Sequence, residues 1–198
     1  MMSDLPVYQF SASVTAVNPR RNAHGTDTDV GYTVASGNGT SYFGRLPAGT
    51  PLGVVAATGL ARPCGKSTVN GALIGATTIV VDEAENFFIG DEVSFYDAAT
   101  GALIATKTLT GVDKTAKTVT FTGAITVGDG DPVYLTGGAG VCVGVLLSEV
   151  NTFNKDLGPV GGYTNVACTV GWHGSFWGAK LVGGNALIKA DLPAARFF

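Results

Sequence analysis

Charge is scarce in this chain. Asp, Glu, Lys and Arg make up 14% of its 198 residues, against about a quarter in ordinary globular domains. No basic stripe with interleaved aromatics occurs, so sequence-specific nucleic-acid binding is not expected. Long apolar runs are missing too. The longest, such as "VCVGVLL", fall far short of the ~18 residues that span a bilayer, so no membrane partner is expected. The opening "MMSDLPVYQF" has neither the basic start nor the apolar stretch of a secretory signal, and none is expected. Cysteine is sparse, odd in number and widely spaced at Cys64, Cys142 and Cys168. With no C-x-x-C pair to suggest zinc, these thiols read as small buried hydrophobes of a reducing compartment. Histidine occurs only at His24 and His173, which leaves little material for a metal site or a base-activated nucleophile.

Glycine, by contrast, is abundant: 29 residues, about double the ordinary share. Val and Thr are plentiful while Lys, Glu, Gln and Met are not. This balance favours strands and turns over helices and predicts an all-β protein. A mean hydropathy of +0.29 is high for a solitary soluble monomer. Part of that apolar surplus is expected to be covered by other chains.

"CGKSTVNG", residues 64 to 71, carries the Gly-Lys-Ser tail of a phosphate-binding loop. The working motif needs a glycine five positions before Gly65, where Leu60 stands, and a helix after it. Pro63 stiffens the loop, and "TVNGALIGATTIVV" is rich in β-branched residues and glycine. The stretch reads as a crossover between two parts of the fold, and no cofactor is expected.

Three parts are expected. Residues 1–45 read as an extended N-terminal arm, with weak alternation in "VYQFSASVTAV" followed by turn formers in "NPRRNAHGTDTDVG" and "SGNGTS". Residues 46–72 and 138–198 read as a body. It opens with the turn and strand of "LPAGTPLGVVAATG" and resumes at "GVCVGVLLSEV", whose near-continuous apolar run suits a strand buried on both faces. In the tail, Asp191 before Leu192-Pro193 reads as the N-cap of a short helix. Residues 73–137 have their own rhythm: Val93 and Phe95, then Val119 and Phe121, alternate as half-buried strands, with "AATG" and "GVDKTAKT" as hairpin turns. They read as a small inserted β-barrel of five or six strands that folds independently. This segment has nine acidic and three basic residues, net −6, while the remainder is net +3.

No constellation for catalysis assembles, and the chain is not expected to be an enzyme. Around His173, "GWHGSFWG" lacks the G-x-S-x-G of a nucleophile elbow at Ser175. "DTD" (Asp27, Asp29) and "DGD" (Asp129, Asp131) resemble fragments of calcium loops but lack the spaced acids and closing Glu, so they read as solvated turns. Trp172, Phe176 and Trp177 are more informative. On a continuous strand Trp172 and Phe176 would share one face and Trp177 the other, so core cannot take both tryptophans. One is expected to face a partner chain, which makes this trio a candidate subunit interface.

"LPAGTPLGVVAATG" (46–59), "VCVGVLLSEV" (141–150), "VGWHGSFWGAKLVG" (170–183) and "ALIKADLPAARFF" (186–198) together resemble the lambda-type head decoration proteins of tailed phages. P-A-G-T-x-L-G, V-G-V-L-L and the H-G turn stand in the family's order over about half the chain. The 73–137 module and a scarcity of helix near the C-terminus depart from the simplest members. The resemblance implies a β-tulip-like body, a homotrimer on the outer surface of the capsid, and an N-terminal arm that adds a strand to the major capsid protein. Val7, Tyr8 and Phe10 would then be its anchors. The same composition also fits another virion component, a tail tube or fibre subunit, or a carbohydrate- or ligand-binding β module with its site at the barrel loops and an exposed Trp.

Overall fold

The computed structural model describes residues 20–22, 30–36, 45–154, 162–172 and 174–198. Val7, Tyr8, Phe10, His24, Asp27, Asp29 and His173 lie outside the described residues. The chain is all-β: eighteen strands and one five-residue helix among those residues.

The body is a closed five-stranded barrel. Its strands are β2 (Val30–Val34), β4 (Pro51–Val54), β5 (Ala61–Pro63), β12 (Cys142–Leu146) and β16 (Val166–Gly171), in the order β12-β16-β2-β5-β4. Side chains alternate as strand geometry demands: Cys168 and Val170 of β16 point inward and Ala167 and Thr169 outward. With Val34, Leu52, Ala61 and Leu146 the two inward residues fill the barrel. Closure leaves this barrel no edge to pair with another chain.

Val30–Val34 corrects the expected boundary, because the barrel takes one of its five strands from the stretch read as arm. Tyr32 and Val34 of that strand pack into the barrel core, but the strand is too short to stand out among the surrounding turn formers. The remaining short strands flank the body. β1 (Arg20–Asn22), β17 (Gly174–Phe176) and β18 (Ala195–Phe197) form one sheet, β3 (Arg45–Leu46) pairs with β13 (Val150–Asn151), and β14 (Phe153–Asn154) pairs with β15 (Gly162–Tyr163).

β12 is covered on both faces, as its apolar run predicts. Leu146 faces the barrel, while Cys142 and Val145 face a second core built from the chain's tail: Phe176, Leu181, Ile188 and Leu192. The tail helix α1 (Ala186–Ala190) ends at Asp191 instead of starting there. Its N-cap is Asn185, whose side chain accepts the Ile188 N–H at 3.0 Å. Both Asn and Asp are N-cap residues; the one that precedes the apolar pair Leu187 and Ile188 wins.

Gly49 ties this cap to the barrel. Its N–H donates to the Leu146 carbonyl and its carbonyl accepts from the Val182 N–H. Its φ is +91°, and a Cβ there would fall on the Lys180 carbonyl oxygen. Gly49→Ala is therefore expected to cost about 2–3 kcal/mol from left-handed strain and overpacking. Thermal denaturation should read this as a Tm lower by about 5–10 °C.

The inserted unit is a six-stranded antiparallel sheet. It contains β6 (Lys66–Thr68), β7 (Leu73–Val80), β8 (Glu92–Tyr96), β9 (Leu103–Asp113), β10 (Thr118–Val127) and β11 (Pro132–Leu135), ordered β6-β11-β8-β9-β10-β7. Its two ends meet: Val69 bridges Val81, the Asn70 N–H donates to Val80 O, and the Asp82 N–H donates to Thr68 O. The sheet thus curls around a core of Val93, Phe95, Leu109, Val119, Phe121 and Val133, with Phe95 and Phe121 rings tilted 5.4 Å apart. Both expected turns are present, each stapled by an aspartate: Asp97 accepts from Ala99 and Thr100, Asp113 from Thr115 and Ala116. Hydrogen bonds from Thr100 hold the Asp97 carboxyl below the usual carboxylate range.

The unit begins at Lys66, earlier than the expected residue 73. "CGKSTVNG" is indeed the crossover, but Lys66–Thr68 already pair with β11. The unit is also less independent than its rhythm implies. Phe88 packs against the barrel core, Asn86 donates to the Val182 carbonyl, and Arg62 of the body forms an ion pair with Asp91.

Candidate functional site

Lys66, the lysine of the phosphate-loop fragment, is committed to the fold. Its Nζ lies 2.6 Å from Asp191 Oδ1 with both side chains largely buried, and its carbonyl accepts from Asn185 Nδ2 at 2.6 Å. Asp191 Oδ2 also accepts the Cys142 N–H at 2.8 Å. One carboxylate therefore joins the crossover, β12 and the end of α1. Gly65 is glycine for a packing reason: a Cβ would lie 2.5 Å from Leu135 carbon atoms.

The cysteines behave as hydrophobes. Cys64 and Cys142 share the cap core, and a hydrogen bond to Cys142 together with burial pushes the Cys64 thiol up. Burial likewise raises Cys168. Protonated thiols of this kind are poor nucleophiles and ligands. "DGD" is a turn staple: Asp129 accepts the Gly71 N–H, and buried Asp131 accepts from Ala98 and Gly128. Among the described residues no group of three or more His, Cys, Asp or Glu could hold a metal.

The aromatic trio divides differently from the alternation argument. Phe176 is fully buried and stacks on Phe197 with centroids 5.8 Å apart. It is core, so it leaves the candidate interface. Trp172 and Trp177 are each 40% exposed. The reason is a break in the strand: β16 stops at Gly171 and β17 starts at Gly174, so Trp172 lies between them and one alternation does not run through the whole stretch.

Trp172 walls a mostly apolar groove with Tyr32, Cys142, Val143, Leu192 and Pro193, and with Asp191 as its one charged lining residue, a cavity of about 340 Å³. Val141, 58% exposed, stands in the same segment as Cys142 and Val143. On the terminal sheet, Trp177 and Phe198 are both partly exposed, and the intervening backbone is tied by the Gly178 N–H to the Phe198 carbonyl at 2.8 Å. Leu192, Pro193 and Tyr32 were not legible as site residues, because they join Trp172 only through the folded tail and the misread strand β2. No family model matches the chain, and no curated protein matches it.

Proposed function

We propose that the chain is a structural protein of a tailed-phage virion, made in the host cytoplasm and bound as a homotrimer to the outer surface of the head. There it stabilises the shell by adding buried area over the major capsid protein. The observation that carries this reading is the Trp172 groove, an open apolar concavity on a body whose barrel has no free edge. Exposed Trp beside apolar surface is the usual centre of a subunit interface. A second observation supports it. The four stretches that resemble decoration proteins, separated by the inserted unit, supply strands bonded to one another: β4 to β12 and β17 to β18. The acidic unit is then an addition to a decoration body.

Light scattering should give a trimer mass. Truncating a tryptophan that is an interface hot spot costs about 2 kcal/mol or more, roughly thirty-fold in a dissociation constant. Trp172→Ala should therefore shift the chain toward monomer at micromolar concentration. Cosedimentation with undecorated heads tests the function itself, and a trimer that never sediments with heads sinks the capsid assignment.

A further inference from the structure

We propose that the outer face of the inserted sheet binds a neutral saccharide. The alternation that sends Val93, Phe95, Val133 and Leu135 inward turns their neighbours outward. Cross-strand register sets Lys66, Tyr134, Ser94 and Thr106 in one row. Thr136 and Glu92 form the next row, joined by Thr136 N–H to Glu92 O at 3.0 Å and Thr136 Oγ1 to Glu92 Oε2 at 2.9 Å. Tyr96 completes the face, its ring 5.6 Å from that of Tyr134 and tilted by 43°. Gly137, Gly138, Gly140 and Val141 stand against these strands and enclose a cavity of about 470 Å³. Their approach is close: a Cβ on Gly140 would lie 2.7 Å from Leu135 O and 3.0 Å from Tyr134 Cβ. The volume falls in the ~300–1,000 Å³ range of small-molecule sites.

The lining decides the ligand class. Two tyrosines offer apolar ring faces with polar tips. Around them stand the hydroxyls of Ser94, paired with Thr106 Oγ1 at 2.9 Å, and of Thr136, which donates to Glu92 Oε2; each oxygen keeps a lone pair that can accept from a ligand. The lysine does not draw an anion, since Asp191 balances it and its Nζ also lies 5.1 Å from the Tyr134 ring centroid. Glu92, bonded to Thr136 of the lining, adds a carboxylate acceptor for hydroxyl donors. Apolar ring faces ringed by acceptor hydroxyl and carboxylate oxygens match a pyranose ring, with its C–H face and its donating hydroxyls. The inference does not rest on the capsid reading.

Full-length protein should be titrated with glucose, galactose, mannose, N-acetylglucosamine and linear oligomers of each, with sialic acid and a sulfated sugar as charged comparators. Saturation-transfer NMR and calorimetry are the readouts. At least one neutral sugar should bind with a dissociation constant of about 1 mM or tighter, roughly −4 kcal/mol, and the charged sugars should bind more weakly. An oligomer that binds tenfold better than its monomer identifies a glycan chain as the source; equal affinities identify a free sugar. Tyr134→Ala and Tyr96→Ala should each weaken binding at least tenfold, while Tyr134→Phe should retain most of it. Lys66 Nζ sits over the ring of Tyr134, which ties that tyrosine to the ion pair, so Tyr96→Ala decides the matter if Tyr134→Ala misfolds by circular dichroism. Silence across the panel at ~10 mM, preference for the charged sugars, or binding indifferent to Tyr96→Ala overturns the proposal.

Discussion

Deleting residues 1–14 is expected to leave the fold and the trimer intact while binding to heads collapses. Among the described residues, the members of the three apolar cores lie at Tyr32 or later. "LPVYQFSASV" has the pattern of an added strand: main-chain hydrogen bonds give affinity and alternate side chains seated in pockets give specificity. Tyr8 and Phe10 are two residues apart and would share a face, with Val7 on the other. Burying such an aromatic contributes about 1.5–3 kcal/mol. Even half of that, acting three times in a trimer, is about 2–4 kcal/mol, a loss of roughly thirty-fold to a thousand-fold. Phe10→Asp should approach the deletion in effect. Cosedimentation isotherms with undecorated heads give the measurement. Wild-type affinity without the arm would move docking to the body, with the Trp172 groove as the next surface to test.

What could be read ahead of the structure, and what could not, follows from how local each signal is. Strands β8 to β10 announce themselves because Val93, Phe95, Val119 and Phe121 alternate within single segments and Asp97 and Asp113 sit in turns of fixed chemistry. The barrel's composition is less local. Its five strands come from distant parts of the chain, and Val30–Val34 is short and set among turn formers, so closure was invisible until pairing with β16 and β5 was known. Asp191 and Asn185 are both good N-cap residues, and the one that precedes the apolar pair Leu187 and Ile188 takes the cap. The row Lys66, Tyr134, Ser94 and Thr106 exists only in cross-strand register, which no linear pattern contains. Alternation along one strand singled out Trp172 and Trp177, with one of them expected outside the core. Both are partly exposed, because the strand breaks between Gly171 and Gly174.

Asp91→Ala is expected to be the most destabilising single change at the junction of the two units. Its carboxylate is almost completely buried, and both oxygens accept from Arg62 Nη2, at 2.7 and 2.9 Å. The Phe88 N–H donates to it as well, at 2.9 Å. Truncation leaves a largely buried guanidinium without its counter-charge, beside an Nε that already lacks a partner. Breaking such a pair costs about 3–5 kcal/mol, a large share of the ~5–15 kcal/mol that holds a domain together. Arg62→Met should behave differently, because its cost depends on pH. Burial already pushes the Asp91 carboxyl up, against the pull of Arg62 and the Phe88 N–H, and removing Arg62 raises it further. A carboxyl raised above its unfolded value, about 3.9, contributes stability in acid that is lost as pH rises through the folded pKa. The deficit of Arg62→Met relative to wild type should thus shrink at pH 5 and grow at pH 8. Replacing both partners, Arg62→Met with Asp91→Leu, removes the charges together, and swaps of this kind range from neutral to stabilising by about 1–4 kcal/mol. Urea denaturation at both pH values gives the cycle. The double variant should be more stable than either single one; a strictly additive loss would mean that Arg62 and Asp91 act through separate packing and that the ion pair does not join the inserted unit to the barrel.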